Sequence, residues 1–513
     1  MYDLLIRNGL LADGTGAAPF RGMLAFRDGK IAAILPPEPD AEAAAVYDAA
    51  GHAVAPGFLD IHTHSDTAYR TPPALRSKLV SGVTCEIVGN CGGSCVPVKP
   101  QARKDGVPFD VESYAADFDR RGASIRIGTL IGHGTLRAAV AGMEMRPLTP
   151  EELARMEALL DEMLLQGAVG VSFGLIYPPG SFCDTAEIEA LARVCAKRGR
   201  VLAVHMRNEN RRVFEAMQEM IGVGKATGVR LEISHFKLQG KAQWGRADEL
   251  LAMVDAARAD GVDIRCDQYP YTASSSGLNS SLPRWALDGG VDRLLARVRD
   301  DAEWARVREG DFPELYERGG PENVIVRGVP ADGDRSMLGN SVAQIAGELG
   351  LSVTDAMRVI QLRNRCRVSC FYHSIGEADM LRILARRDIS IVSDGTDFDL
   401  DSYDDLPHPR STASAPRFLR LNREHGLMPI EAAVRKLTGL PAAAMGLDGQ
   451  LGLLKEGLAA DVTVFDPETV ADRATYREPA LLPVGISAVF VGGEKVLDHN
   501  VITDARPGRF VRL

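Results

Sequence analysis

No run of 18 consecutive apolar residues occurs anywhere in the 513-residue sequence, so nothing in it reads as a membrane-spanning helix. The eight cysteines are too few for a disulfide framework in so long a chain, which leaves each one a candidate ligand or a plain core residue. There is no long block of one charge: the formal net charge of −10 is spread along the chain, which argues against nucleic acid as a partner and favours a small molecule. The opening Met1-Tyr-Asp-Leu-Leu-Ile-Arg7 lacks the basic start and apolar core of a signal peptide, so a cytoplasmic protein without a membrane partner is expected.

What is present is an ordinary globular composition, 45% hydrophobic and 25% charged, in a chain long enough for one large domain and a smaller satellite. Both ends are rich in short apolar runs punctuated by turn residues, such as Lys30-Ile-Ala-Ala-Ile-Leu35 and Ile486-Ser-Ala-Val-Phe-Val491. The middle alternates buried-strand runs with helical stretches, as parallel βαβ units do. These runs are Val54–His62, Val83–Gly89, Ile125–Gly132, Ala168–Gly174, Val201–His205, Arg230–His235, Val262–Tyr269 and Ile389–Asp394, with Val368–His373 a ninth candidate. The expected fold is therefore α/β: a (β/α)8 barrel over residues 56–448 and a small β-sandwich from residues 1–55 and 449–513. An inserted subdomain over the barrel mouth is expected at about 276–340, a stretch too long for a βα loop. Thr149-Pro-Glu-Glu opens one helix with an N-cap and a first-turn proline, and Gly376–Arg387 is a second amphipathic helix.

In a parallel barrel the chemistry sits where strands end, and here those ends are rich in metal ligands. His62-Thr-His64 closes the first run, Cys91 follows the second, His205 and His235 close the fifth and sixth, and Asp394 closes the last. A lone strand-end histidine is more often structural than a ligand. Four of the ten histidines, a thiol and a carboxylate converging on one face are a different matter, and that mixture of donors suits zinc. His133 and His373 follow strand-like runs and stand as weaker candidates for supporting positions.

The sequence resembles the D-aminoacylase (N-acyl-D-amino-acid deacylase) branch of the amidohydrolase superfamily over nearly its whole length. The likeness is carried by Pro56-Gly-Phe-Leu-Asp-Ile-His-Thr-His-Ser-Asp66, Gly89-Asn-Cys-Gly92, Gly174-Leu-Ile-Tyr-Pro-Pro179, His205-Met-Arg-Asn-Glu209, Ile233-Ser-His-Phe-Lys237, Asp267-Gln-Tyr-Pro-Tyr271, Ser393-Asp-Gly395 and His408-Pro-Arg410. The resemblance implies a tightly held zinc on Cys91, His205 and His235 and a weaker second site at His62, His64 and Asp394. Many members of the superfamily bridge two metals through a modified lysine on the fourth strand. The corresponding run, Gly170-Val-Ser-Phe-Gly174, has no lysine, in agreement with a cysteine as the metal-holding anion.

On this reading the activity is hydrolysis of N-acyl-D-amino acids. Asp394 takes a proton from water and passes it to the leaving amine, and Arg410 holds the substrate carboxylate. Tyr177, Lys237, Tyr269 and Ser275 match further substrate-binding positions of the family. One departure is the acidic loop Asp397-Phe-Asp-Leu-Asp-Ser-Tyr-Asp-Asp405, read either as a solvated lid or as a wall that favours basic or neutral substrate side chains. The competing readings are an amidohydrolase of cyclic amides or of dipeptides ending in a D-residue, and a non-catalytic zinc-binding protein.

Overall fold

A computed structural model describes residues 1–38, 41–71, 75–310 and 312–513. Eight parallel strands form its central sheet: β1 (Phe58–Asp60), β2 (Val83–Val88), β3 (Arg126–Gly132), β4 (Gly170–Gly174), β5 (Val201–His205), β6 (Arg230–Ile233), β7 (Ile264–Gln268) and β8 (Ile389–Ile391). All eight coincide with the apolar runs of the sequence. A strand covered on both faces needs apolar residues throughout, and such a run is conspicuous. The sheet closes between its first and last strands just beyond their ends, through a parallel bridge of Thr63 with Gly395. The bonds there run from His64 N to Gly395 O (2.9 Å) and from Asp394 N to His62 O (2.8 Å). The backbone of the candidate ligands thus completes the barrel.

The ninth candidate run lies outside the barrel. Ser369–His373 is the middle strand of a separate three-stranded antiparallel sheet, between Ala273–Gly277 and Val324–Gly328. This sheet sits in the long connection between β7 and β8 and has its own core, including Leu278, Trp304, Phe312, Ile360 and Tyr372. Residues from 278 to 372 contribute to that core.

The two ends of the chain meet in one nine-stranded sheet, joined where Ala53–Pro56 pairs antiparallel with Val462–Phe465. The sheet curls around its own apolar residues, so that Phe26 and Phe490, on strands with three others between them in hydrogen-bonding order, meet edge to face at 6.3 Å. On the barrel's outer layer, the helix Pro150–Leu165 starts with the N-cap expected at Thr149, whose side chain accepts from Glu152 N and completes a capping box with that glutamate. The helix expected over 376–387 spans Glu377–Leu384.

Candidate metal centre

At the C-terminal rim of the barrel, Cys91 is the hub. Its Sγ lies 3.3 Å from His62 Nε2, 3.5 Å from His235 Nε2 and 3.7 Å from His205 Nδ1. Potential ligand atoms of Cys91, His205 and His235 all lie within 4.8 Å of one another, as do those of His62, His64 and Cys91, and those of His62, His235 and Asp394. The two ligand sets expected from the sequence are thus brought into one continuous cluster, with Cys91 and His62 between them. His64 Nε2 stands 2.9 Å from Asp394 Oδ1, and His62 Nε2 stands 3.5 Å from the same oxygen.

Three of these residues hold left-handed backbone: Cys91 at φ 52°, His235 at φ 39° and Asp394 at φ 51°. None is a glycine, and such conformations persist only where the surroundings dictate them, which is common at functional sites. One of those surroundings is Gly174, at the end of β4, where a Cβ would stand 2.0 Å from Cys91 O. Only glycine lets the Cys91 loop come so close.

The donor set fits a divalent cation. Three imidazole nitrogens face one sulfur, and a cation among them would take a lone pair from each. The electrostatics agree. Burial alone raises a thiol pKa, but His62 and His235 hold the Cys91 thiol well below its usual value and favour thiolate. At Asp394 burial works against the charge, yet Arg410, whose Nη1 lies 2.8 Å from Oδ2, and His64 hold the carboxyl well below the usual range. Thiolate, carboxylate and imidazoles are the ligands zinc takes.

Behind the ligands stands a residue to which the sequence assigned no role. Glu209 Oε1 lies 2.9 Å from His235 Nδ1 and accepts from Lys237 Nζ at 2.6 Å. Its Oε2 accepts from Gln239 Nε2 at 3.0 Å and is 3.6 Å from His205 Nε2. His235 Nδ1 faces both Glu209 Oε1 and, at 2.8 Å, Lys237 Nζ; a proton on Nδ1 directed at Glu209 would leave the Nε2 lone pair facing Cys91, the arrangement a metal ligand needs. The signal was its place in His205-Met-Arg-Asn-Glu209, beside a ligand. On the opposite side His62 Nδ1 is 3.6 Å from Asp267 Oδ2.

Beneath the cluster the barrel interior holds Asp60, Lys78, Glu86 and Glu232, all buried. Lys78 Nζ donates to Asp60 and to Ser393 Oγ. Burial pushes the Glu86 carboxyl up to about 7 and that of Glu232 well above its usual value, with Asp267 adding to the latter. These groups were visible in the sequence as single acids inside apolar strands, Glu86 in Val83–Val88 and Glu232 in Arg230–Ile233.

A cavity of about 680 Å³ opens over the cluster and is lined in part by Tyr177, Lys237, Ser275 and Arg410. Its volume is that of a small-molecule site. Three expected substrate groups carry commitments of their own: Lys237 Nζ is given to Glu209, and Ser275 Oγ accepts from Arg327 Nε at 2.7 Å. Tyr269 is fully buried, its ring 4.7 Å from the Arg410 guanidinium and 5.7 Å from Lys237 Nζ, where it backs both cations. His408 orients Arg410, with Nδ1 accepting from Arg410 N at 3.1 Å and Nε2 set against Ala273 O at 3.0 Å.

The acidic loop lines the cavity with Asp397, Asp399, Asp404 and Asp405. Asp397 accepts from Leu75 N, Ser77 N and Ser77 Oγ, Asp401 pairs with Arg76, and Asp405 accepts from Val329 N. The tip of the loop, residues 401–404, is exposed, so the loop is anchored at its base and solvated at its tip. His133 also has a structural role, with Nε2 2.7 Å from Glu187 Oε1 and its ring stacked on Phe173.

Among known proteins, the amidohydrolase family pattern matches residues 45–280 and 380–497. D-aminoacylase of Alcaligenes xylosoxydans xylosoxydans is 35% identical over 99% of this chain and 97% of its own. N-acyl-D-glutamate deacylase of the same organism is also 35% identical, over 99% and 96%. Among solved structures, N-acyl-D-glutamate deacylase of Bordetella bronchiseptica, complexed with zinc and a phosphonate mimic of the tetrahedral intermediate, superposes with a TM-score of 0.84 over all of both chains at 34% identity. With a family match over most of its length and such relatives covering it from end to end, the chain belongs to the amidohydrolase family, in its D-aminoacylase branch.

Proposed function

We propose that this chain is a zinc-dependent deacylase that hydrolyses N-acyl-D-amino acids to a carboxylate and a D-amino acid. The observation that carries the reading is the joining of Cys91, His205 and His235 to the Asp394–Arg410 ion pair within one cavity. One end of this arrangement suits a metal and the other suits a carboxylate. The zinc-bearing, full-length relative of Bordetella bronchiseptica supports the metal, and the Alcaligenes deacylases support the D-amino-acid half of the substrate.

Cys91, His205 and His235 would hold the tighter zinc, with His62, His64 and Asp394 available to a second ion. Zinc bound there supplies a Lewis acid for the scissile carbonyl and for water. Asp394, held ionised by Arg410 and His64, is a ready proton acceptor for the attacking water. Because it stands inside the cluster, the same carboxyl can deliver that proton to the leaving amine. Arg410 lines the cavity, and its buried Nε has no hydrogen-bond partner among the described residues, which supports the guanidinium as the group that meets the substrate carboxylate. Tyr177 lines the cavity as a phenol, its pKa raised by burial and by the Cys91 charge, and is placed to donate a hydrogen bond to substrate.

The proposed division of the chain puts this machinery in a barrel of residues 56–448 and leaves 1–55 with 449–513 as support. No described helix is long and apolar enough to cross a membrane, and all eight cysteines are free, which supports a reducing cytoplasmic setting. The test is metal analysis together with hydrolysis of paired N-acetyl-D- and N-acetyl-L-amino acids. Zinc in the purified protein with D-selective release of amine is expected. Equal rates on both enantiomers would overturn the substrate, and an inactive zinc-loaded wild type would overturn catalysis.

A further inference from the structure

A second cavity, of about 910 Å³, reaches the same cluster from the other side. The two cavities share His64, Cys91 and Tyr177 and little else. The first is built mainly from segments that follow β5 to β8 and from the three-stranded sheet. The second is built from the segments after β2, β3 and β4: Asn90–Lys99, the helix His133–Val140 with the turn beyond it, and Gly174–Pro179. They therefore leave the cluster over different arcs of the barrel rim.

Their chemistry differs as much as their position. The first cavity is densely charged, with Arg318, Arg327, Arg335 and Arg410 set among carboxylates that include Asp394, Asp399 and Asp404. The second has no arginine among its lining residues, and its charged members are Asp66 and Lys99. Its walls are Pro97, Val98, Ala138, Ala139, Met143 and Pro179. Two of its hydroxyl groups are already paired: Ser94 Oγ donates to Val96 O and accepts from Gly132 N, while Thr135 Oγ1 donates to Ser94 O and accepts from Ser94 N. These side chains offer little to a polar ligand.

An N-acyl amino acid has two halves that diverge from the scissile carbonyl. The half with the carboxylate belongs on the side of the arginines, so the acyl half must leave by the other. We infer that the second cavity is an acyl cleft built for an extended, uncharged hydrocarbon chain, and that the preferred substrates carry acyl groups well beyond acetyl. This rests on the deacylase reading above and deepens it. An acetyl group would fill only a small fraction of such a volume, whereas each methylene removed from water adds binding energy.

The test is a chain-length series (N-acetyl, N-butanoyl and N-octanoyl derivatives of one D-amino acid, with an N-glycylglycyl derivative as the polar extension) run on the zinc-loaded full-length enzyme. The octanoyl-to-acetyl ratio of kcat/KM is expected to be roughly tenfold or more, since burying a methylene is worth a factor of about four and an open cleft buries only part of the chain. Ala138→Trp and, separately, Ala139→Phe place bulk on the wall of the cleft and are expected to bring that ratio back toward one. A flat or falling ratio in the wild type, a ratio untouched by both variants, or a greater gain from glycylglycyl than from octanoyl would each overturn the inference. A good acetyl rate with a flat ratio defeats the acyl cleft alone. Failure to hydrolyse any member defeats the deacylase reading and the cleft with it.

Discussion

Glu209→Gln is the substitution that probes the centre most sharply, because it preserves shape and removes one charge. Glu209 is buried and faces His235 Nδ1, Lys237 Nζ, Gln239 Nε2 and, more distantly, His205 Nε2. A glutamine keeps one acceptor for these donors and turns an amide N–H on the others. Two consequences follow, with separate magnitudes. Loss of an outer carboxylate that orients metal-bound histidines costs about 10- to 100-fold in metal affinity. Leaving the Lys237 ammonium buried without its counter-charge costs about 3–5 kcal/mol of stability, less whatever is relieved when the lysine gives up its proton. Zinc affinity is read by competition with a chromophoric chelator, and stability by thermal unfolding of the metal-free protein. A double variant, Glu209→Gln with Lys237→Met, separates the two: stability should recover because the stranded charge is gone, while zinc affinity should stay low because the histidines still lack their acceptor. Wild-type zinc affinity in both variants would refute the assignment of Glu209 as the residue that sets the ligand tautomers.

Three further outcomes are expected. Asp394→Asn should lower kcat by about 100- to 10,000-fold, the usual contribution of a positioned acid–base, while zinc on Cys91, His205 and His235 is retained on metal analysis. Arg410→Lys should raise KM for an N-acyl-D-amino acid by about 10- to 100-fold, because a planar donor pair to a carboxylate is replaced by a single ammonium; steady-state kinetics check it. Lys436 lies far from this chemistry, buried with Nζ donating to Leu384 O, and burial lowers its pKa from 10.5 to about 7. The folded state therefore binds fewer protons than the unfolded one between about pH 7 and pH 10.5, so stability carried by this site rises with pH across that window, by up to about 5 kcal/mol at about 1.4 kcal/mol per pH unit. Lys436→Met should raise the Tm at pH 7 and flatten its rise toward pH 10.

The barrel was legible because its strands are buried on both faces. Runs such as Val201–His205 and Ile389–Ile391 carry no alternation that could be confused with a half-exposed strand, and most of the eight lead into a residue of the site. Ser369–His373 looked the same for the same reason: its Cys370, Phe371 and Tyr372 are buried, although in the sheet of the inserted region. Burial, which the sequence reports well, does not say which sheet does the burying. Pairing partners at a distance of a hundred residues, such as Ala273 with His373, leave no trace in local pattern.

The centre divides along a similar line. The structure brings together the His, Cys and Asp residues that the sequence nominated because such side chains at strand ends are chemically conspicuous. Groups that act on those residues were not nominated: Glu209, Asp267 and His408 look in the sequence like any acid or imidazole in a loop or strand, and their meaning lies in distances of 2.6–3.6 Å to residues far along the chain. The acidic loop is a mixed case. Of its five carboxylates, Asp397 is taken up by Ser77 and the backbone of Leu75, some 320 residues earlier, a partnership invisible in local pattern, while Asp401 and Asp404 stay exposed. A charge counts toward recognition only when no group of the protein has already answered it. By that criterion Arg410, paired with Asp394 on one edge and with no hydrogen-bond partner for Nε among the described residues, is the cation of this site best placed to meet a substrate carboxylate.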